Sequence, residues 1–339
     1  MTLAFGAVDH IDRQSYPLTE TFDSRLKLMR KYDEAGFYSF HLTEHHFTPL
    51  GMAPSPNIFL AAAAGVTKNI RLGSLVYLLP LYDPIRLAME ICMLDNISNG
   101  RIDIGVGRGI SPFELAFFNV NHLEAPAIYR EAYEVLLKAL TQKTVYHDGR
   151  YYKYLGAPME LQPVQKPHPP LWYGVGNPAG AAWPAQNKVN VITNRKGDLA
   201  KGIFDAYRAA WKEAHGTDAG DEPFLGITSH IYLAETRKEA EEVGNREFEK
   251  WYDSFTHLWC KYDPIAVNDP NRPSFVRPVM YGTPEMVRDN IAKEVAESGA
   301  NYFVARFAFG DLTYEQSARS FDLFANEVMP HFARAKAAE

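Results

Sequence analysis

Three titratable residues stand in a row at Glu44, His45 and His46, at the end of a short apolar and aromatic run that begins at Phe37. The run follows Gly36, which is typical of a buried strand that leaves the end of a helix. Parallel α/β enzymes place their chemistry where strands end, so we interpret the run 37–47 as a strand that carries a site. For a single histidine, a role as strand cap or solvated loop residue is about as frequent as a functional one, so the cluster needs support from elsewhere in the chain.

The same residues also raise the question of a metal. His41, His45 and His46, together with Glu44, are side-chain types that bind zinc. Neighbouring residues of a strand point to opposite faces, however, so His45 and His46 are expected to diverge. The other predicted strand ends carry mostly glycine, asparagine and apolar residues instead of further ligands. We therefore predict no metal site and disfavour a metallohydrolase.

Two glycine-rich turns follow predicted strands, Gly-Arg-Gly at 107–109 and Gly-Val-Gly-Asn at 174–177. Such turns expose backbone N–H groups that can bind an anion, and Arg108 adds a permanent positive charge suited to phosphate. Neither turn has the full Gly-x-Gly-x-x-Gly spacing with an acidic residue about 20 positions later. The pattern indicates phosphate binding without a Rossmann dinucleotide site.

Strand and helix patterns alternate along the chain. Helical patterns mostly separate eight strand candidates, at 3–8, 37–47, 70–79, 102–106, 171–175, 189–193, 225–233 and 302–307. This alternation predicts an α/β fold, a (β/α)₈ TIM barrel formed by a single domain over residues 1–339. Two proline-rich stretches at about 144–170 and 262–281 interrupt it. We predict that they are insertions at the carboxyl-terminal face, the first a hairpin or an extended arm.

The composition excludes several classes of protein. The net charge is −6, and no basic stripe is present, so a nucleic-acid partner is not expected. No apolar run approaches the roughly 18 residues of a membrane span, and the N-terminus lacks the pattern of a signal peptide. The two cysteines, Cys92 and Cys260, have no Cys-x-x-Cys spacing. These features predict a cytoplasmic protein.

Several motifs together resemble one known family. They are Leu-Thr-Glu-His-His-Phe at 42–47, Gly-Ser-Leu-Val-Tyr-Leu-Leu-Pro at 73–80, Gly-Val-Gly-Arg-Gly at 105–109, Trp-Tyr-Asp-Ser at 251–254 and Gly-Thr-Pro-Glu at 282–285. The set resembles the flavin-dependent, bacterial luciferase-like monooxygenases. The spacing is similar to that of the luciferase α subunit, an alkanal monooxygenase, without large gaps until about residue 260.

The resemblance implies a TIM barrel with flavin at its carboxyl face. It implies a two-component monooxygenase that uses reduced FMN from a separate flavin reductase, together with O₂, on a small organic substrate such as an aldehyde. Two alternatives are a deazaflavin-dependent oxidoreductase of the same superfamily and a non-catalytic flavin-binding relative. His45 argues against the latter, because a protein that only binds flavin needs no base. The family commonly pairs its barrels, so a homodimer is expected, and the alanine-rich helix predicted at 55–66 is a candidate for close packing.

The resemblance also implies roles for individual residues. His45 matches the family's catalytic histidine, and Leu75–Val76 matches a non-proline cis peptide that lies against the flavin ring. Arg108 matches a phosphate-binding arginine. The remaining candidates are Glu44, which would orient His46 or the flavin, Gly176, Asn177 and Gly180 at the second phosphate turn, and Glu114 and Trp251 in the substrate pocket.

The chain departs from the luciferase pattern at several of these positions. Gly107 replaces a reactive cysteine, and Pro126 replaces the family's second phosphate-binding arginine, although Arg130 lies one helical turn later. Gly176 replaces a carboxylate, and Gly180 replaces a hydroxyl. Backbone N–H groups at these glycines can supply what the side chains do not, so the flavin-binding prediction includes Gly107, Arg130 and both turn glycines.

Overall fold

The computed structural model describes residues 3–216, 223–267 and 279–332. Its strands are β1 (Ala4–Asp9), β2 (Ser39–Leu42), β3 (Arg71–Leu78), β4 (Ile102–Gly107), β5 (Thr144–Asp148), β6 (Lys153–Pro158), β7 (Leu171–Gly174), β8 (Asn190–Thr193), β9 (Leu225–Leu233), β10 (Val279–Gly282) and β11 (Tyr302–Arg306). Its α-helices are α1 (Leu18–Glu34), α2 (Pro56–Val66), α3 (Pro84–Ile97), α4 (Pro112–Phe117), α5 (Ala125–Thr141), α6 (Ala182–Gln186), α7 (Gly197–His215), α8 (Arg237–Tyr262), α9 (Pro264–Val267), α10 (Pro284–Ser298) and α11 (Tyr314–Leu323).

Eight of these strands close into a parallel barrel. The order around it is β9-β11-β1-β2-β3-β4-β7-β8, and β8 pairs again with β9. The predicted (β/α)₈ barrel is therefore confirmed. In such a barrel the carboxyl ends of all eight strands meet on one face, which brings the predicted strand-end residues together.

The strand predicted at 37–47 is shorter than expected. β2 ends at Leu42, which pairs with Asp9, the last residue of β1. One further backbone bond joins Thr43 N to Asp9 O at 2.9 Å. Beyond it β1 offers no partner, so Glu44, His45 and His46 lie in the loop after the strand.

The barrel interior is packed below the carboxyl face. Val8, Trp172, Ile192, Tyr302 and Val304 form a buried cluster there. His41 is fully buried in the same region, where its Nε2 lies 3.1 Å from Tyr302 Oη and its ring contacts Trp172 edge-on. The opposite strand faces pack against the surrounding helices in larger apolar clusters. This solid floor limits any ligand site to the upper layer of the barrel.

The segment between α5 and β7 contains an antiparallel hairpin formed by β5 and β6. The hairpin leaves from the end of α5, at the amino-terminal edge of the barrel, and Glu131 of α5 accepts hydrogen bonds from the backbone of its turn. Tyr152 Oη reaches Tyr82 O at 3.2 Å, and Tyr154 Oη reaches Asp83 at 2.9 Å, just after β3. The hairpin thus runs along the outside of α5 and brings its turn up to the carboxyl-terminal edge.

A second excursion lies on the carboxyl-terminal face. β10 pairs with His230–Leu233 at the end of β9, whereas β11 pairs with β9 only from Gly226 to His230. The helix that leads down to β11 is α10, so α8 belongs to the excursion and is not a wall helix of the barrel. The excursion therefore includes α8 as well as the insertion predicted at 262–281, of which residues 268–278 lie outside the described residues.

Candidate active site

Glu114 lies in the first turn of the short helix α4 and contacts His45. Ser111 caps α4 by accepting a hydrogen bond from Glu114 N, and Pro112 occupies the first turn. Glu114, which is only 4% exposed, places Oε1 3.2 Å from His45 Nδ1 and accepts a 2.9 Å hydrogen bond from His46 N at Oε2. No described residue hydrogen-bonds to His45 Nε2, so that nitrogen is available for a proton.

Glu44 is engaged within the protein. Its Oε1 lies 2.7 Å from His46 Nε2, and its Oε2 accepts hydrogen bonds from Leu78 N at 3.1 Å and Tyr82 Oη at 2.9 Å. Burial, reinforced by the Glu44 charge, raises the pKa of Tyr82, so its hydroxyl stays a donor. The structure therefore shows Glu44 tying the loop after β2 to the end of β3.

The Leu75–Val76 peptide bond is cis, as the resemblance predicted. The register between β3 and β4 shifts at this point, and two glycines of β4 face it. A Cβ on Gly107 would lie 2.3 Å from Val76 Cγ2, and a Cβ on Gly105 would lie 2.2 Å from Ser74 O. Gly107 thus permits β3 to approach β4 closely. Packing alone therefore explains a glycine at this position, whether or not it also contacts a ligand.

The predicted phosphate turns lie open at the ends of β4 and β7. Arg108 is exposed and makes no ion pair or hydrogen bond with any residue that the structure describes. Gly174 and Gly176 have nothing within 4 Å of the position that a Cβ would take. Asn177 caps the short 3₁₀ turn Pro178–Gly180 by accepting a hydrogen bond from Gly180 N at 3.2 Å. The Gly180 N–H is therefore already used, whereas the two open glycines leave room for a ligand.

The structure adds a cation that the sequence analysis missed. Arg195 follows β8 and donates from Nε to Gly176 O at 3.2 Å. Arg130, which was predicted for this place, is instead exposed and lines the cleft between α5 and the β5–β6 hairpin. Arg195 was missed because it stands in a polar loop before a helix, and only the adjacency of β7 and β8 brings it to Gly176.

A second group of polar side chains lies where β1, β9 and β11 end. The His10 ring stacks on His45 with centroids 5.5 Å apart and meets Trp251 edge-on at 5.2 Å. Arg306 Cζ lies 5.8 Å from the Trp251 ring centroid. Burial lowers the pKa of His10 well below its ordinary value and lowers that of Arg306 to about 10. Only Trp251 was predicted from the sequence, because His10 and Arg306 are single polar residues at the ends of apolar strands.

The histidines considered as metal ligands are separated. His41 lies in the barrel interior, His45 contacts Glu114, and His46 contacts Glu44. Within 3–216, 223–267 and 279–332, no group of three or more His, Cys, Asp or Glu side chains is arranged to hold a metal ion. No helix in this part of the chain is long and apolar enough to cross a membrane.

These features define an enzyme-type (β/α)₈ barrel with a polar site at its carboxyl-terminal face. The family model for luciferase-like monooxygenases matches residues 1–302, and the chain belongs to that family. The oxygenase component of a flavin-dependent trigonelline monooxygenase from Acinetobacter baylyi is 26% identical over 98% of this chain and 97% of its own length.

Solved structures show the same fold. Monooxygenase RslO1 from Streptomyces bottropensis superposes with a TM-score of 0.86 and 27% identity over 98% of this chain and 100% of its own. The oxygenating constituent of 3,6-diketocamphane monooxygenase from Pseudomonas putida, in complex with FMN, gives a TM-score of 0.81 and 22% identity over 97% and 98% of the two chains.

Proposed function

We propose that the protein is the oxygenase component of a two-component, FMN-dependent monooxygenase that acts on a small organic substrate. It would receive reduced FMN from a separate flavin reductase and use O₂. The observation that carries the proposal is the position of Arg108, which pairs with no described residue, beside the open Gly174 and Gly176 and on the same barrel face as the His45–Glu114 pair.

The residues present fit a flavin mononucleotide. Arg108 and Arg195 would bind the phosphate, together with the backbone of Gly176 and Asn177, because this edge offers two cations and space without side chains. The isoalloxazine ring would lie against Leu75 and Val76. FMN is favoured over riboflavin because only FMN has a phosphate to engage the cations.

His45 would act as the general base. Glu114 accepts the Nδ1–H hydrogen bond, which fixes the tautomer and leaves the Nε2 lone pair toward the site. His46 is held by Glu44 and supports the loop without entering the chemistry. Reduced flavin would supply the electrons for oxygen activation. The protein side chains would bind and orient the flavin and the substrate, and His45 would accept the proton.

Equilibrium binding of FMN, reduced FMN, riboflavin and a reduced deazaflavin tests the cofactor. We expect reduced FMN to bind at least tenfold more tightly than riboflavin. Rapid mixing of the reduced complex with oxygen, followed by the flavin absorbance and by product analysis with an aldehyde as first substrate, tests the reaction. Preferred deazaflavin binding without oxygen consumption would contradict the proposal and favour the hydride-transfer alternative.

We also propose a homodimer formed through α2 and α3. These helices expose Ile58, Met89, Met93 and Ile97, large apolar side chains on the outer surface of two neighbouring helices. Light scattering of the wild type and of Met93→Glu checks this: a dimer that becomes a monomer is expected, and a wild-type monomer would contradict it. Both Cys92 and Cys260 are free thiols, which supports the cytoplasmic location.

A further inference from the structure

A buried arginine without a carboxylate partner lies at the end of β11. Arg306 is only 6% exposed, and no described carboxylate lies within ion-pair distance of it. Its one hydrogen bond to a residue that the structure describes is long, 3.4 Å from Nη1 to Thr228 Oγ1. With a pKa of about 10 it stays charged at neutral pH. A buried, unpaired charge is costly, so such a charge points to a partner that arrives from outside.

The acidic side chains near Arg306 make their close contacts with other groups. Asp9 interacts electrostatically with Arg306, but its Oδ2 is 2.7 Å from Nε of the buried Arg25. Asp12 accepts a hydrogen bond from Gly310 N at 2.8 Å and lies 4.0 Å from the same arginine. Arg25 therefore makes the close contacts with both acids, and Asp9 and Asp12 act on Arg306 only at longer range.

Three buried nitrogen atoms from different elements lie in the region of this charge. Arg306 Nε, His10 Nδ1 and Trp251 Nε1 are all buried and have no hydrogen-bond partner among the described residues. The centroid of the Trp251 ring lies 5.8 Å from Arg306 Cζ and 5.2 Å from the His10 ring. Arg306 and Trp251 offer N–H donors, and His10 adds a third in the tautomer protonated at Nδ1, which is the kind of donor set that satisfies a carboxylate.

The position of this group separates it from the proposed phosphate site. In the barrel order, three strands lie between β11 and β4 in either direction, so Arg306 and Arg108 stand at opposite ends of a diameter. Next to His10 is His45, and beside His45 is a small cavity whose lining includes Glu114, Phe255 and Trp259. A ligand fixed at Arg306 would therefore extend past the proposed base toward aromatic walls.

We propose that Arg306, His10 and Trp251 form a subsite for the carboxylate of an anionic substrate with a small, flat apolar body. The inference rests on the proposed function and narrows its substrate class. Fixing the carboxylate at the β1–β11 side places the rest of the substrate beside His45 Nε2, between the base and the strand that carries the Leu75–Val76 bond. A directional contact to the carboxylate orients the substrate, which an apolar pocket alone does not do.

Benzoate and benzamide test the subsite, because they share a shape and differ in charge. Calorimetric titration of the FMN-loaded protein is expected to show benzoate binding at least tenfold more tightly than benzamide, the range of a charge-assisted contact. The ¹⁵N–¹H signal of Arg306 Nε should shift with benzoate and stay in place with benzamide. Equal binding of both probes, or no benzoate binding up to about 10 mM, would overturn the proposal.

Arg306→Gln should remove the preference for benzoate while reduced FMN still binds, and Arg306→Lys should retain part of the preference. Arg108→Gln is the matched control, an arginine of the same face that should weaken FMN and leave the benzoate preference intact. If Arg306→Gln instead weakens reduced FMN tenfold and leaves the benzoate preference unchanged, the charge serves the anionic edge of the flavin and the proposal is wrong. If the protein binds no FMN, the proposed function fails, while the probe comparison without flavin still decides the subsite.

Discussion

The two halves of the carboxyl-terminal face differ in the exposure of their positive charges. On the β4–β7–β8 side Arg108 is exposed, and the glycines around it leave open space. On the β9–β11–β1 side Arg306 is buried beneath Trp251 of α8. An exposed cation keeps its hydration and gives a modest, salt-sensitive attraction, whereas a desolvated cation discriminates strongly between charged and neutral partners. The first suits a cofactor that enters and leaves, and the second suits selection of a substrate.

The largest effect is expected at His45, which lies between the two halves. His45→Ala should lower turnover by about 10²-fold or more, because it removes the general base, and should leave FMN affinity unchanged. Glu114→Gln should give a smaller loss, since the amide still reaches Nδ1 but carries no negative charge. Turnover of His45→Ala at the wild-type rate would exclude His45 as the base.

Charge removal on the open side should act on the cofactor alone. Arg108→Ala should weaken FMN by about tenfold or more and riboflavin hardly at all, since only FMN has a phosphate. Arg195→Gln should have the same selectivity and a smaller effect, because this side chain already donates to Gly176 O. Fluorescence titration at two salt concentrations measures both. Equal weakening of the two flavins would remove the phosphate assignment.

Two glycine variants compare close packing with open space. Gly107→Ala should destabilise the fold by about 1–3 kcal/mol, because the new methyl would overlap Val76. Gly176→Ala meets no atom within 4 Å, so its stability should stay near wild type while FMN affinity falls. Urea denaturation and FMN titration of both variants separate the effects. A Gly107→Ala protein as stable as wild type would show that β3 can move away.

The smallest effect is expected at His41, in the packed barrel interior beneath both halves. Burial lowers the pKa of His41 to about 3, so His41 is neutral in the folded protein and gains a proton only on unfolding at mildly acid pH. Its contribution to stability is present above pH 6.5 and is lost as the pH falls from there toward 3, by about 1.4 kcal/mol per pH unit. His41→Gln should reduce this slope in denaturation curves at pH 7, 6 and 5. An unchanged slope would contradict the assignment.

The barrel could be predicted from the sequence because its strands are buried on both faces and read as apolar runs between helical patterns. The polar loop after β2 could also be predicted, since Glu44, His45 and His46 form a local cluster in the sequence. α8 was harder: an amphipathic helix looks the same whether it covers the wall of a barrel or crosses its mouth. Only the pairing of β10 with the end of β9 reveals which of the two applies.

Arg306 and His10 illustrate what the sequence could not provide. They are about 300 positions apart, and neither stands in a motif. Pairing of β1 with β11 brings their strands together, and the burial that gives Arg306 its unusual environment comes partly from α8. Arg195 depends in the same way on the adjacency of β7 and β8.

The excursion through α8 leaves the barrel after β9 and rejoins the sheet beside the same strand, where Val279 pairs with His230. Because departure and return are neighbours, the barrel needs no particular chain length between them. Insertions, deletions and replacements in this segment can therefore accumulate during evolution without disturbing barrel closure. The described part of the segment packs Trp251 against His10 and Arg306, and Trp259 against Phe113 of α4, so a changed segment would alter the walls above the barrel while the pairing of its eight strands stays the same.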